Sequence, residues 1–265
     1  LPLKKGEGMK GQKYAGCLIC TDMDGTLLTT DKVLSRENAE AIKRFQQGGG
    51  LFTVATGRYW DFVNVYRDVF VPNTHVISLN GCVISEYGSE RIIHCTEMDK
   101  SCFDEAGYVF DSCPQLTMLL VNTTHGFVPV KRGELSKLDK IEINNDNKIY
   151  KMTYMSLPGE ELTEETRAFF VPFSKGRYNC ERSWPGGMEY YPLEGGKHNA
   201  VMWLKQHTDS DKLICVGDYE NDVSMLKCAD VGVAVSNALD CVRAVADVTV
   251  CSNDENAIAA LIDRL

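Results

Sequence analysis

The feature that most constrains the fold is a rhythm at both ends of the chain, where short β-rich runs alternate with stretches of helical period. CLICT (17–21) reads as a strand. SRENAEAIKRFQQ (35–47) reads as an amphipathic helix with Ser35 as N-cap and Gly48 to Gly50 as its stop. LFTVAT (51–56), a helical reading of GRYWDFVNVYRDVF (57–70) up to Pro72, and HVISL (75–79) complete a βαβαβ order. Towards the other end KHNAVMWLKQH (197–207), KLICVG (212–217), ENDVSMLKCA (220–229), VGVAV (231–235), ALDCVRAVA (238–246) and ENAIAALIDRL (255–265) resume it. Strands separated by helices imply a parallel sheet with right-handed crossovers and helices on both faces.

The middle breaks the rhythm. CVISEYGSERIIHC (82–95) and QLTMLLVNTTHGFVPV (115–130) are hairpin-like, with short strands joined at glycine-containing turns. The expected fold is therefore α/β: a Rossmann-like parallel-sheet core formed by 1–81 plus 188–265, and an inserted α+β domain over 82–187. The 265 residues suffice for both without a disulfide or zinc staple.

Composition narrows the function classes. No apolar run approaches the roughly 20 residues of a membrane helix. A net charge of −9 opposes binding to phosphate backbones, so neither membrane nor nucleic acid is an expected partner. The basic opening LPLKKGEGMKGQKYAG lacks the apolar stretch of a signal peptide and reads as a loose leader. Eleven cysteines without repeating spacing fit reduced thiols and a cytoplasmic location. Cys17 and Cys20 have CxxC spacing, but on a strand they point to opposite faces and read as structural.

In open α/β sheets the functional site lies beyond the carboxyl ends of the strands. Four places qualify: Asp22 with Asp24 after the first strand, Thr56 after the second, Asp218 with Asn221 and Asp222 after the strand ending at Gly217, and Lys197 at a helix start. Carboxylates gathered at one sheet edge repel one another unless a hard cation sits among them. Mg2+ takes oxygen ligands from one or two carboxylates plus a substrate phosphate. Lys197 and Thr56 supply donors for phosphoryl oxygens, an arrangement that suits phosphoryl transfer. A lysine at the positive end of a helix is electrostatically misplaced unless it has a specific task.

DMDGT (22–26), TG (56–57), Lys197 and GDYEND (217–222), in that order, resemble the motifs of haloacid dehalogenase-like phosphatases. The large insertion and GMEYYPLEGGKHNAV (187–201) resemble the Cof-type branch, subfamily IIB, most of whose members act on sugar phosphates and related esters. The resemblance implies that Asp22 is the nucleophile forming an aspartyl-phosphate and Asp24 the general acid and then base. It implies Mg2+ held by the Asp22 carboxylate, the Asp24 main-chain carbonyl and Asp218, with Asp222 an outer partner. Thr56, Gly57, Lys197 and Asn221 would bind the phosphoryl group, Arg58 is a candidate substrate contact, and the insert would be a cap. The expected substrate is a small phosphate ester, foremost a sugar phosphate. A phosphomutase or phosphotransferase sharing the intermediate, and a non-catalytic phosphate-binding protein, are the alternatives.

Overall fold

The computed structural model describes residues 12–89, 91–173 and 176–265, so most of the basic opening segment lies outside the described residues. In chain order, β1 (Cys17–Thr21), α1 (Arg36–Gln47), β2 (Leu51–Val54), β3 (Val76–Ser78), β4 (Val83–Ser85) and β5 (Ile92–Cys95) come first. Then follow α2 (Ala106–Ser112), β6 (Met118–Thr123), β7 (Gly126–Lys131), β8 (Ile149–Met155), α3 (Glu164–Phe173), β9 (Tyr178–Glu181) and β10 (Gly187–Pro192). The chain closes with α4 (Lys197–His207), β11 (Lys212–Gly217), α5 (Val223–Cys228), β12 (Val231–Ala234), α6 (Asp240–Arg243), β13 (Val248–Thr249) and α7 (Ala257–Ile262).

The chain divides into two units. One comprises the part up to His94 together with Lys197–Leu265, and the other is Cys95–Gly196. The expected insert boundaries, 82 and 187, both move later. β4 pairs antiparallel with β3 and shares its three-stranded sheet with β5, which keeps most of 82–95 in the first unit. β10 pairs with β8 and β9, which keeps 187–192 in the second. Strand pairing rather than the positions of Gly81 and Gly187 sets the division.

In the first unit the main sheet has the order β13-β12-β11-β1-β2, all parallel. β1 is followed outward by β2 on one side and by β11 on the other, so the direction of winding reverses between β1 and β11. Such a switch point opens a crevice at the carboxyl ends of the two strands. Leu18, Ile19, Phe52, Ile214 and Val216 fill the sheet and are fully buried, as strands covered on both faces require. Ser35 caps α1 by accepting from the Asn38 N–H, and Gly48 follows its last turn. Asn38 is buried inside α1, and its Oδ1 accepts from the Ala259 N–H at 2.9 Å, tying α1 to α7.

Several expected helices are shorter than their periodicity suggests. Over 57–70 only Trp60–Tyr66 is helical, and it is 3-10. Tyr59 offers no side-chain cap, and the aromatic and β-branched residues of WDFVNVY are poor helix formers. Residues 220–222 form a separate 3-10 turn before α5, and of 238–246 only α6 is a regular α-helix.

The second unit is a five-stranded antiparallel sheet, β7-β6-β8-β10-β9. Leu119, Val121, Met152, Tyr154, Met188 and Tyr190 alternate onto one face, where they pack with Val109 and Phe110 of α2 and Phe170 of α3. Lys151 and Glu189 point the other way and form a buried ion pair, with Ser183 also bonded to Glu189. All eleven cysteines are free, and Cys20 is buried in the first-unit sheet. No helix among the described residues is long and apolar enough to cross a membrane.

Candidate active site

β1 and β11 run parallel in register from Cys17–Lys212 to Thr21–Val216, and the Asp22 N–H continues the ladder by donating to the Val216 carbonyl at 2.8 Å. That register sets Asp22 beside Asp218, each just past the end of its strand. β2 runs beside β1, and the Ala55 N–H donates to the Thr21 carbonyl, so Thr56 emerges at the same edge. Lys197 opens α4, and its ammonium donates to Asp22 Oδ1 at 2.5 Å and to Asp222 Oδ1 at 2.7 Å. Sequence positions as far apart as 22 and 197 thus share one charged centre.

Lys197 is fully buried. Burial favours the neutral amine, but the charges of Asp22 and Asp222 outweigh it and hold the ammonium above its ordinary pKa. Asp22 is pushed well above the usual carboxylate range, first by burial and then by Asp222 and Asp218, against the pull of Lys197. Asp218 is pushed up to about 7 by burial and by Asp222, although the Thr26 hydroxyl donates to its Oδ1 at 2.5 Å.

Asp22, Asp218 and Asp222 each offer a carboxylate oxygen, and these lie within 4.8 Å of one another. Lys197 offsets only part of that charge. An all-oxygen, net-negative donor set, with Asp22 and Asp218 raised above the usual carboxylate range, fits a hard divalent cation. The Asp222 oxygens are already engaged: Oδ1 accepts from Lys197, while Oδ2 accepts from the Asp218 and Tyr219 N–H groups at 2.9 and 3.1 Å. This bonding leaves Asp22 and Asp218 the better placed direct ligands and makes Asp222 the brace of the 217–222 turn.

The side chain of Asp24 faces other partners. Arg58 grips it with both ends of its fork, Nε to Oδ2 at 2.5 Å and Nη2 to Oδ1 at 2.6 Å, and the Lys32 ammonium approaches Oδ1 at 2.8 Å. Burial raises its pKa, but the Arg58 and Lys32 hydrogen bonds more than offset this and hold it below the ordinary value. Arg58, expected as a substrate contact, is therefore first a partner of Asp24. Thr56 is buried, and its hydroxyl accepts from the Arg58 N–H at 3.1 Å, while Gly57 lies between them. Asn221 donates to Asn80 Oδ1 at 3.3 Å.

Thr26, Lys32 and Asn80 belong to this network and were not singled out from the sequence. Asn80 had a signal, since it stands just beyond the third strand. It is buried with φ +54°, and its N–H donates to the Thr56 carbonyl at 3.0 Å, locking the 78–81 turn to the 56–58 loop. Thr26 ends the DMDGT run. Lys32 carried no sequence signal.

Gly25 has φ +81°, and a Cβ there would come 2.5 Å from Asp218 Oδ2. Gly25→Ala is expected to cost at least about 1–2 kcal/mol from the left-handed backbone alone. Thermal unfolding measures it, and an unchanged melting temperature would contradict the geometry.

Residues 19–262 match the family model described as haloacid dehalogenase-like hydrolase. The chain is 27% identical to endoribonuclease YBEY, chloroplastic, of Arabidopsis thaliana over 98% of this chain and 48% of the relative, so it spans about half the length of that protein. It is also 27% identical to 5-amino-6-(5-phospho-D-ribitylamino)uracil phosphatase YwtE of Bacillus subtilis (strain 168), covering 93% of this chain and 97% of the relative. A solved structure of a haloacid dehalogenase-like hydrolase from B. subtilis superposes with a TM-score of 0.79 at 22% identity, covering 94% of this chain and 99% of that one. At that identity the likeness shows a common fold.

Proposed function

Because the chain belongs to the haloacid dehalogenase-like hydrolases, we propose that it is a phosphoric monoester hydrolase whose carboxylate site runs a Mg2+-dependent phosphatase reaction through an aspartyl-phosphate. The substrate is a small phosphorylated metabolite, with sugar phosphates the leading class, and the unit Cys95–Gly196 is assigned as the cap. The observation that carries this reading is the buried Lys197 ammonium bridging Asp22 and Asp222 beside Asp218. A buried cation and three clustered carboxylates are costly for stability and suit the handling of a charged ester.

In the first step a carboxylate oxygen of Asp22 forms a bond to phosphorus, the bond to the leaving oxygen breaks, and Asp24 gives that oxygen its proton. In the second step the oxygen of a water bonds to phosphorus, its proton passes to Asp24, and the bond to Asp22 breaks to release phosphate. Lys197, Thr56, Gly57 and Asn221 orient the phosphoryl oxygens. Asp22, Asp218 and the Asp24 main-chain carbonyl would hold Mg2+, which when bound neutralises charge on the phosphoryl group. An ionised Asp24 clamped by Arg58 and Lys32 suits the second step.

Phosphate release from a panel of sugar, sugar-alcohol and cofactor phosphates is expected to rise with Mg2+ and vanish in chelator. Full activity after thorough chelation overturns the metal's role, and no release from any ester overturns the phosphatase reading.

The raised Asp218 pKa adds a prediction for the cation-free protein. Its folded value of about 7 lies above the unfolded value of about 3.9, so between those limits the folded state binds more protons. Stability therefore falls as pH rises through that window, and Mg2+ restores it by pairing the ionised carboxylate. Asp218→Asn is expected to flatten this pH dependence in chelator and to abolish the gain from Mg2+. Thermal unfolding at several pH values checks it, and an unchanged Mg2+ response would remove Asp218 from the ligand set.

A further inference from the structure

The loop following DMDGT makes a tight turn at 29–33: the Thr29 N–H donates to the Val33 carbonyl at 2.9 Å and the Lys32 N–H to the Thr29 carbonyl at 2.8 Å. Thr30 anchors it, its N–H and hydroxyl both donating to the Asp254 carboxylate at 2.8 Å. Lys32 sits in this turn with φ +61°, a left-handed conformation that glycine or asparagine adopts with little penalty and a long L side chain does not. The Tyr66 hydroxyl donates to the Lys32 carbonyl at 3.0 Å and helps to hold it there.

Turn formation does not explain a lysine at this position. Its ammonium reaches Asp24 Oδ1 at 2.8 Å, the same oxygen that Arg58 Nη2 contacts from its own loop. Stability does not explain it either. The Lys32 side chain is 52% exposed, and an exposed ion pair adds little, no more than the strained backbone takes away. What the lysine does provide is a second, independent grip on the Asp24 carboxylate. The Arg58 fork fixes the carboxylate within the guanidinium plane but lets it hinge about the line of the two hydrogen bonds; a third contact from another loop removes that hinge.

We propose that Lys32 is a positioning residue that, with Arg58, fixes Asp24 for taking the proton of the attacking water in the second step. The inference rests on the reading of Asp24 as the base of that step. It says nothing of the first step with a good leaving group, whose oxygen needs no proton.

The test uses p-nitrophenyl phosphate and the full chain with Mg2+. Lys32→Met is expected to lower kcat about tenfold, the scale of a misplaced catalytic group. It is also expected to produce a rapid burst of p-nitrophenol, because the aspartyl-phosphate then forms faster than it is hydrolysed. Lys32→Arg is expected to restore kcat and remove the burst. Lys32→Gly relieves the backbone while removing the ammonium, so its melting temperature should be no lower than that of the natural chain while the burst persists. A merely structural lysine would give the opposite pairing of stability and kinetics. Asp24→Asn is the control and should show a larger burst. If it does and Lys32→Met shows neither burst nor loss of kcat, the proposal fails and the reading of Asp24 stands. If Asp24→Asn leaves the second step unaltered, both fall.

Discussion

Asp22→Asn is expected to abolish phosphate release, by at least about a thousandfold against every ester the natural chain hydrolyses, while the protein stays folded. An amide cannot serve as the nucleophile, so no covalent intermediate forms, and removal of a nucleophile typically costs this much or more. Stability is expected to hold or improve in chelator, because Asp22 sits buried among like charges that push its pKa up. Its neutral isostere keeps an oxygen for the Lys197 ammonium at the Oδ1 position. Trapping with an aryl phosphate and mass measurement of the intact protein would show phosphate on the natural chain and none on the variant. Turnover above a few per cent in a folded variant would remove Asp22 from the nucleophile's role.

Lys197→Met is the second large effect, and here stability falls together with activity. The methionine fills similar space but leaves Asp22 and Asp222 facing each other without the ammonium that both now accept from. Breaking one side of a buried charge network costs about 3–5 kcal/mol. Part of this loss is recovered at low pH, where the stranded carboxylates can protonate, and part with Mg2+, which replaces some of the missing positive charge. Denaturant unfolding with and without Mg2+ at two pH values resolves these contributions. A loss below about 1 kcal/mol in chelator at neutral pH would mean that the three side chains do not form the network described. Activity is expected to fall even where folding is rescued, since a divalent ion at the carboxylates does not replace the donor to the phosphoryl oxygens.

The two variants separate roles that proximity alone would merge. Asp22 and Lys197 are in direct contact, yet one is expected to disable chemistry without harming the fold and the other to harm both. The physical difference is the sign of the charge removed. The cluster has an excess of carboxylates, so deleting a negative group relieves it and deleting the positive group aggravates it.

Much of this arrangement was legible in the sequence. CLICT, KLICVG and KHNAVMWLKQH coincide with β1, β11 and α4 to the residue, because each is a short run bounded by residues that stop it. Asp22, Thr56 and Asp218 could be nominated because residues beyond strand ends face the crevice of any such sheet. Other features were not legible. The WDFVNVY stretch has helical spacing but poor propensity and no cap, and it forms only a 3-10 segment. The insert boundaries followed cross-strand pairing of β4 with β3 and of β10 with β8, which the glycines near them did not reveal.

Periodicity, caps and turn residues act over a few neighbouring positions, so the chain alone determined where strands and helices lie and which acidic and basic groups stand at their ends. The pairing of those groups is set by the order of strands in the sheet, which brings together residues remote along the chain. Only the tertiary structure decided that Asp24 turns to Arg58 and Lys32 rather than to the carboxylate cluster, that Asp222 braces its own turn, and that Asn80 meets Asn221. Coulomb attraction falls with distance through space and takes no account of separation in sequence.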